Sequence, residues 1–175
     1  RVFTRPTAGN RKAVPIVVEV GNLVVGDLMV DANRTVSGPT PVRRVIELLL
    51  GDDVDSIPVL SSQGRLEGLV TAGDVLRRCL PGQVRFLDVF VYLDGDWLRE
   101  EVLRELGDLP TSQIMSRRIV AVGPGASVGK AVGLMLEHGL RQLPVVEDEA
   151  LVGLVGRREV LEVLYTRMTK GAIEI

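Results

Sequence analysis

The sequence predicts an α/β fold, in its α+β form, assembled from two copies of one β-α-β-β-α unit with a helical insert between them. Three observations carry that prediction. A block of residues recurs 86 positions downstream, apolar spacing switches between strand and helix periods in the same order in each copy, and turn residues punctuate both copies at matching places. Met29 aligns with Met115, Val36 with Val122, Val42 with Val128, Leu50 with Leu136, Pro58 with Pro144 and Val59 with Val145. One residue is lost between Leu60 and Leu66, so Gly68 meets Gly153 at a shift of 85.

Taken in order, residues 1–13 carry Arg1, Arg5, Arg11 and Lys12 without apolar period and read as a linker. Residues 14–20 read as a strand, at a sheet edge because of Pro15. Together, 1–23 form an arm or the remnant of a preceding domain. The first repeat, 24–79, opens at 24–30, where Gly26-Asp27 starts a short turn, and a short strand follows at 34–37. Val42, Val45, Ile46, Leu49 and Leu50 then fall on one helical face, with Thr40 as N-cap and Pro41 at the first helical position. Gly51-Asp52-Asp53 closes that helix. Strands at 57–60 and 66–70 flank a turn at 61–64, and Thr71 starts the last helix, which runs to about Cys79.

Residues 80–110 interrupt the repeat. Phe86, Val89, Phe90 and Leu93 suggest one helix and 97–106 another, so the aromatic cluster, with Tyr92 and Trp97, reads as a lid or a dimer surface. The second repeat, 111–168, has Ser127 as N-cap and Val128, Ala131, Val132, Met135 and Leu136 on the helical face. Strands follow at 143–146 and 151–155, then a helix from Arg157 to about Met168 with Val160, Leu161, Val163 and Leu164 as core. A tail, 169–175, ends the chain, which begins at Arg1 rather than Met and reads as a segment of a longer polypeptide.

Composition excludes several function classes. With 46% hydrophobic residues, a real core is within reach. Lys and Arg number 21 against 23 Asp and Glu, so the broad basic footprint of nucleic-acid binding is missing. One cysteine, Cys79, and one histidine, His138, allow neither a disulfide framework nor a His/Cys zinc site, and cytoplasm is the expected compartment. No apolar run approaches the ~18 residues that cross a bilayer. No Ser, Cys or His stands with a base and an orienting partner, so an enzyme is not expected, and His138 reads as a helix-end or surface residue.

The stretch Gly68-Leu69-Val70-Thr71-Ala72-Gly73-Asp74 carries a core strand into the first turn of a helix. Thr71 stands at the N-cap and Asp74 at N3. One reading is a capping box, in which the two side chains satisfy orphan amides. The other is a ligand site: the amides suit a phosphate, and the acceptor-only carboxylate of Asp74 suits the two hydroxyls of a ribose. The layout recurs in Gly153-Leu154-Val155-Gly156-Arg157-Arg158-Glu159.

This pattern resembles the tandem pair of cystathionine beta-synthase (CBS) domains, or Bateman module, over about residues 24–164. The resemblance rests on Met29 and Met115, on Ile57-Pro58-Val59 and Leu143-Pro144-Val145, and on 68–74. It implies repeats packed sheet to sheet with pseudo-twofold symmetry, clefts between them for adenosine-containing ligands, and modules paired as homodimers. The ligand-binding residues it implies are Thr71 and Asp74, with Ser56, Ile57 and Pro58 at the base and Thr35 and Val36 along the opposite wall. At the second cleft, formed by Pro144, Gly156 and Glu159, the family's hydroxyl is replaced by Gly156 and its aspartate by the longer Glu159. Arg157 and Arg158 lie in the first turn there, where a cation opposes the macrodipole by about 0.3–1 kcal/mol unless an anion is bound. Arg141 is close in sequence to the same strand. These arginines either bind phosphate or pair with surface carboxylates.

The function so implied is a regulatory module that binds AMP, ADP, ATP or S-adenosylmethionine, requires no cofactor, and passes the change to an attached or partner effector domain. A ligand-free dimerisation module with vestigial sites is the alternative.

Overall fold

The computed structural model describes residues 2–3, 16–17, 23–51, 54–79, 84–86, 89–91 and 100–170. Its contacts divide into two compact units.

One unit, 32–119 with 148–151, contains most of the first repeat. Here β3 (Val36–Ser37) pairs in parallel with β4 (Ile57–Leu60), which pairs antiparallel with β5 (Leu66–Val70). The turn between β4 and β5 closes on Gly64 at φ 78°, a conformation glycine adopts without steric cost. Helix α2 (Val42–Leu49) buries Val45 against Ile57, Val59 and Val70, while Val42 packs with Val75 and Cys79 of α3 (Ala72–Cys79) and Leu106 of α4 (Glu100–Asp108). Burying these apolar side chains stabilises each by about 1.5–3 kcal/mol relative to leaving it in water.

The other unit, 1–31, 120–147 and 152–175, contains most of the second repeat. Helix α5 (Val128–Glu137) starts at Ser127, whose hydroxyl accepts from the Lys130 amide at 3.2 Å, as its N-cap position predicts. It buries Ala131 and Met135 against Leu143, Val145 and Val155 of the hairpin β8 (Gln142–Glu147) and β9 (Ala150–Gly156). A parallel bridge from Val122 to Val145 stands where β3 stands in the first repeat, 86 positions on from Val36 and Val59. Helix α6 (Arg157–Lys170) follows β9 directly.

The opening segment of each repeat belongs to the unit that contains most of the other repeat. Val30 pairs with Leu154, by hydrogen bonds of 2.8 Å in both directions, in the unit of the second repeat. Ser116 pairs with Leu69 in the unit of the first. The aligned glycines make these pairings possible. A Cβ on Gly68 would lie 2.6 Å from the Met115 sulfur, and one on Gly153 would lie 3.0 Å from the Met29 sulfur. The repeated methionines are therefore packing residues, each seated on a strand glycine.

Several expectations change. The short turn expected at Gly26-Asp27 is a helical one, α1 (Val25–Leu28), in which Asp27 reaches back to accept from the Val24 amide at 3.0 Å. The cap of α2 is Pro41, not Thr40. The Thr40 hydroxyl is engaged with Ser37 at 3.1 Å, and its carbonyl accepts from the amide and hydroxyl of Thr111. Within the linker, Val2–Phe3 (β1) pairs with Ile16–Val17 (β2), the latter inside the expected strand. The first helix of the insert is replaced by a hairpin, β6 (Val84–Phe86) and β7 (Val89–Val91). Val84, Phe86, Val89 and Val91 are strand formers at spacing two within each arm, a stronger signal than their fit to a helical face. The side chains of Phe86, Phe90, Tyr92 and Trp97 lie outside the described residues, as do Asp52 and Asp53. Finally, Leu50 and the aligned Leu136 point outward from the ends of their helices, and Leu161 and Leu164, expected in the core, are exposed while Val160 and Val163 pack inward.

Candidate functional site

Strand pairing brings the first group of predicted residues together. Ile57 is in register with Val70, so the buried start of β4, Ser56, Ile57 and Pro58, lies beside the end of β5, where Thr71 leads into α3. Besides a backbone bond from the Asp74 amide to the Thr71 carbonyl at 3.1 Å, three side-chain contacts join Thr71 and Asp74. The Asp74 Oδ2 accepts from the Thr71 amide at 2.8 Å and from its hydroxyl at 2.6 Å, and the Asp74 amide donates to the Thr71 hydroxyl at 3.4 Å. This is capping-box geometry, and it holds the carboxylate in one orientation. The Asp74 side chain is 10% exposed.

The other oxygen, Oδ1, accepts from Arg77 one turn along α3. Sequence reading missed Arg77, although its distance of three residues from Asp74 on a helix was a usable signal. Its guanidinium folds back over the first turn: a Cβ on Gly73 would lie 3.4 Å from Arg77 Nη1 and 3.5 Å from the Thr71 hydroxyl. Gly73 thus keeps that space open.

Thr35 and Val36 lie across the sheet, where Val36 pairs with Val59. They line a depression of roughly 500 Å³ with Asn33, Arg34, Ser37, Thr40, Arg44, Leu48, Leu60 and Ser61, and none of Ser56, Ile57, Pro58, Thr71 or Asp74 contributes to it. Arg44 pairs there with Glu47 at 2.6 Å, and Arg34 reaches the Leu48 carbonyl at the end of α2.

The second predicted group is assembled differently. Glu159 Oε2 accepts from the Gly156 amide at 2.8 Å, and a Cβ on Gly156 would lie 3.0 Å from that oxygen and 3.3 Å from the Arg141 carbonyl. The longer carboxylate and the missing side chain are complementary: Glu159 fills the space a threonine would need. Arg141 also accepts the Arg157 amide through its carbonyl at 3.0 Å, and the Pro144 carbonyl accepts from Val122 at 3.1 Å. The Arg157 guanidinium turns away from α6 to the end of α5, donating to Leu140 at 2.9 Å and Met135 at 3.5 Å. Arg158 pairs with Glu162 at 3.3 Å.

Burial pushes the Cys79 thiol above its ordinary pKa, so it is a weak nucleophile. Among the described residues no group of three or more His, Cys, Asp or Glu is placed to hold a metal ion, and no helix is long and apolar enough to cross a membrane. His138 is the C-cap of α5.

Comparison with known proteins agrees with this architecture. The CBS domain family model matches twice, at 25–80 and 111–166. A CBS domain-containing protein of Bacillus subtilis, YhcV, is 30% identical over 131 residues, which cover 75% of this chain and 78% of that protein. Among solved structures, CBSX2 in complex with AMP superposes with a TM-score of 0.63 at 24% identity, covering 83% of this chain and 98% of that one. CBSX2 of Arabidopsis thaliana is chloroplastic and 27% identical over 170 residues, covering 91% of this chain and 70% of that protein. The CBS domain pair of protein MJ0100, in complex with 5′-methylthioadenosine and S-adenosyl-L-methionine, gives a TM-score of 0.63 at 15% identity and covers 84% of this chain and 99% of that one. With two family matches in one chain, each on a β-α-β-β-α repeat, the protein belongs to the CBS domain family as a tandem, Bateman-type pair.

Proposed function

We propose that this module is a non-catalytic regulatory sensor that binds an adenosine-containing nucleotide at the first repeat. The observation that carries this is the Asp74 carboxylate, slightly exposed and held in place by Thr71 at the first turn of α3. An oriented carboxylate that donates nothing is suited to a ribose diol, and Ser56, Ile57 and Pro58 provide a neighbouring surface for a base. Complexes of family relatives with AMP, with S-adenosyl-L-methionine and 5′-methylthioadenosine, and, in the cytosolic domain of the magnesium channel MgtE, with ATP support the ligand class. Binding regulates only if the ligand favours one of two conformations of the module, which an attached or partner domain then reads. A reducing, cytoplasmic setting suits the single thiol.

A thermal-shift panel of AMP, ADP, ATP and S-adenosylmethionine tests the reading. A ligand at 100 times its dissociation constant stabilises by about 2.7 kcal/mol. Asp74→Ala should weaken binding by about 1.5–3 kcal/mol while the fold persists. A panel without shifts overturns the proposal.

One observation favours a second reading, a homodimerisation module. Leu161, Leu164, Tyr165 and Met168 form an exposed stripe along α6, Leu161 at 62% and Tyr165 at 70%. Light scattering that gives a dimer, together with a flat ligand panel, would select it.

A further inference from the structure

Resting on the nucleotide-binding reading of the first repeat, we propose that Arg77 is a specificity residue. It makes a phosphate on the ligand a condition of ribose recognition by Asp74, so the site selects phosphorylated adenosine over neutral adenosine and over the sulfonium cation S-adenosylmethionine.

The geometry sets up a competition. Asp74 has two oxygens; Thr71 uses one through both its amide and its hydroxyl, and Arg77 covers the other. A ribose diol that approaches Asp74 meets the guanidinium first. The Arg77 side chain is 64% exposed, and exposed ion pairs are weakly held, so the guanidinium is free to exchange partners. It does so without loss only if the incoming molecule brings an anion. A phosphorylated nucleoside meets that condition, because its phosphate takes the Arg77 fork in a two-pronged, charge-assisted contact while its diol takes the released Oδ1. Neutral adenosine would leave the guanidinium without an anion. A sulfonium would add a second cation beside it.

The position of the guanidinium is also built for contact with a ligand. Gly73 leaves space beneath it, and the Thr71 hydroxyl stands against the same opening. In the second repeat the residue aligned with Arg77 is Glu162, and the residue aligned with Gly73 is Arg158, which pairs with that glutamate. The exchange is therefore a property of the first repeat.

Calorimetric titration of AMP, adenosine and S-adenosylmethionine into the chain and into Arg77→Gln and Arg77→Lys variants tests this. The parent should bind AMP at least about tenfold more tightly than adenosine. Arg77→Gln should lose about tenfold for AMP while adenosine binding holds or improves, because Asp74 is released; Arg77→Lys should retain part of the preference. Equal losses for AMP and adenosine in Arg77→Gln would assign Arg77 a merely structural role and overturn the inference. A parent that binds adenosine as tightly as AMP would also overturn it, leaving the nucleotide-binding reading intact. A parent that binds none of the three, and neither ADP nor ATP, would overturn both.

Discussion

The first turns of α3 and α6 occupy aligned positions in the two repeats and share one backbone device, yet they carry different charge. In each, an acidic side chain reaches back to the amide three residues earlier, Asp74 to Thr71 and Glu159 to Gly156. Around Asp74 stand a hydroxyl and a guanidinium. Around Glu159 stand a glycine and Glu162, while the two arginines of that turn are engaged at the end of α5 and on Glu162. The lesson is that the number of arginines near a helix start does not measure its appetite for phosphate. What matters is which partner the guanidinium has within the chain: Arg157 has the backbone carbonyls of Leu140 and Met135, and Arg77, among the described residues, has the carboxylate that the proposed ligand would share.

The comparison breaks most severely in the cores. Ile57 and Leu143 are aligned and fully buried, the first and second residues of β4 and β8 respectively. Truncating either to alanine leaves a cavity and should cost about 2–5 kcal/mol, read as a lowered midpoint in urea unfolding. If one of the pair costs less than about 1 kcal/mol, its core is not packed as described.

Next in size are the strand glycines. Gly68→Ala drives a methyl to 2.6 Å from the Met115 sulfur and 3.0 Å from the Ser116 carbonyl, whereas Gly153→Ala meets the Met29 sulfur and the Val30 carbonyl at 3.0 Å each. Overpacking of this kind costs about 1–3 kcal/mol, and Gly68→Ala should be the worse of the two. Restoring space with Met115→Ala in the Gly68→Ala background should recover part of that crowding, a coupling that a double-mutant cycle measures. Simple additivity would mean the sulfur is not the obstacle.

These glycines also show where sequence reading stops. The repeat was legible from its fixed shift of 86 positions, and the order of elements within each repeat and the Thr71–Asp74 cap from spacing within a few residues. The partner of each glycine was not, because Met115 reaches Gly68 from more than forty residues away in the chain, a distance set by tertiary packing. The recurrence of the methionines at a fixed shift hinted only that they mattered. Periodicity likewise placed Leu50, Leu136, Leu161 and Leu164 on apolar helical faces, but only the fold shows that those faces are wider than the cores they cover. Arg77 was within reach, since aligning the repeats sets it against Glu162 and marks the charge difference that distinguishes the two turns.

The smallest effects separate the two arginines of α6. Arg157 donates to the carbonyl of Leu140, just past the end of α5, and at longer range to that of Met135, which also accepts from the Leu140 amide at 2.8 Å. Its guanidinium therefore acts as a C-terminal cap delivered from another helix, where a cation also complements the macrodipole. Because the site is exposed, water replaces the lost contacts in Arg157→Gln, and the cost should be about 0.5–1.5 kcal/mol. Arg158 pairs with Glu162 one turn away in an exposed i, i+4 ion pair, a contact whose loss in Arg158→Gln should cost about 0.3–0.5 kcal/mol and less at high salt. Urea titrations of both variants at low and high ionic strength decide the matter. Equal, salt-sensitive losses would make both residues ordinary surface cations; a larger, salt-resistant loss for Arg157→Gln would identify it as the residue that ties α6 to the end of α5.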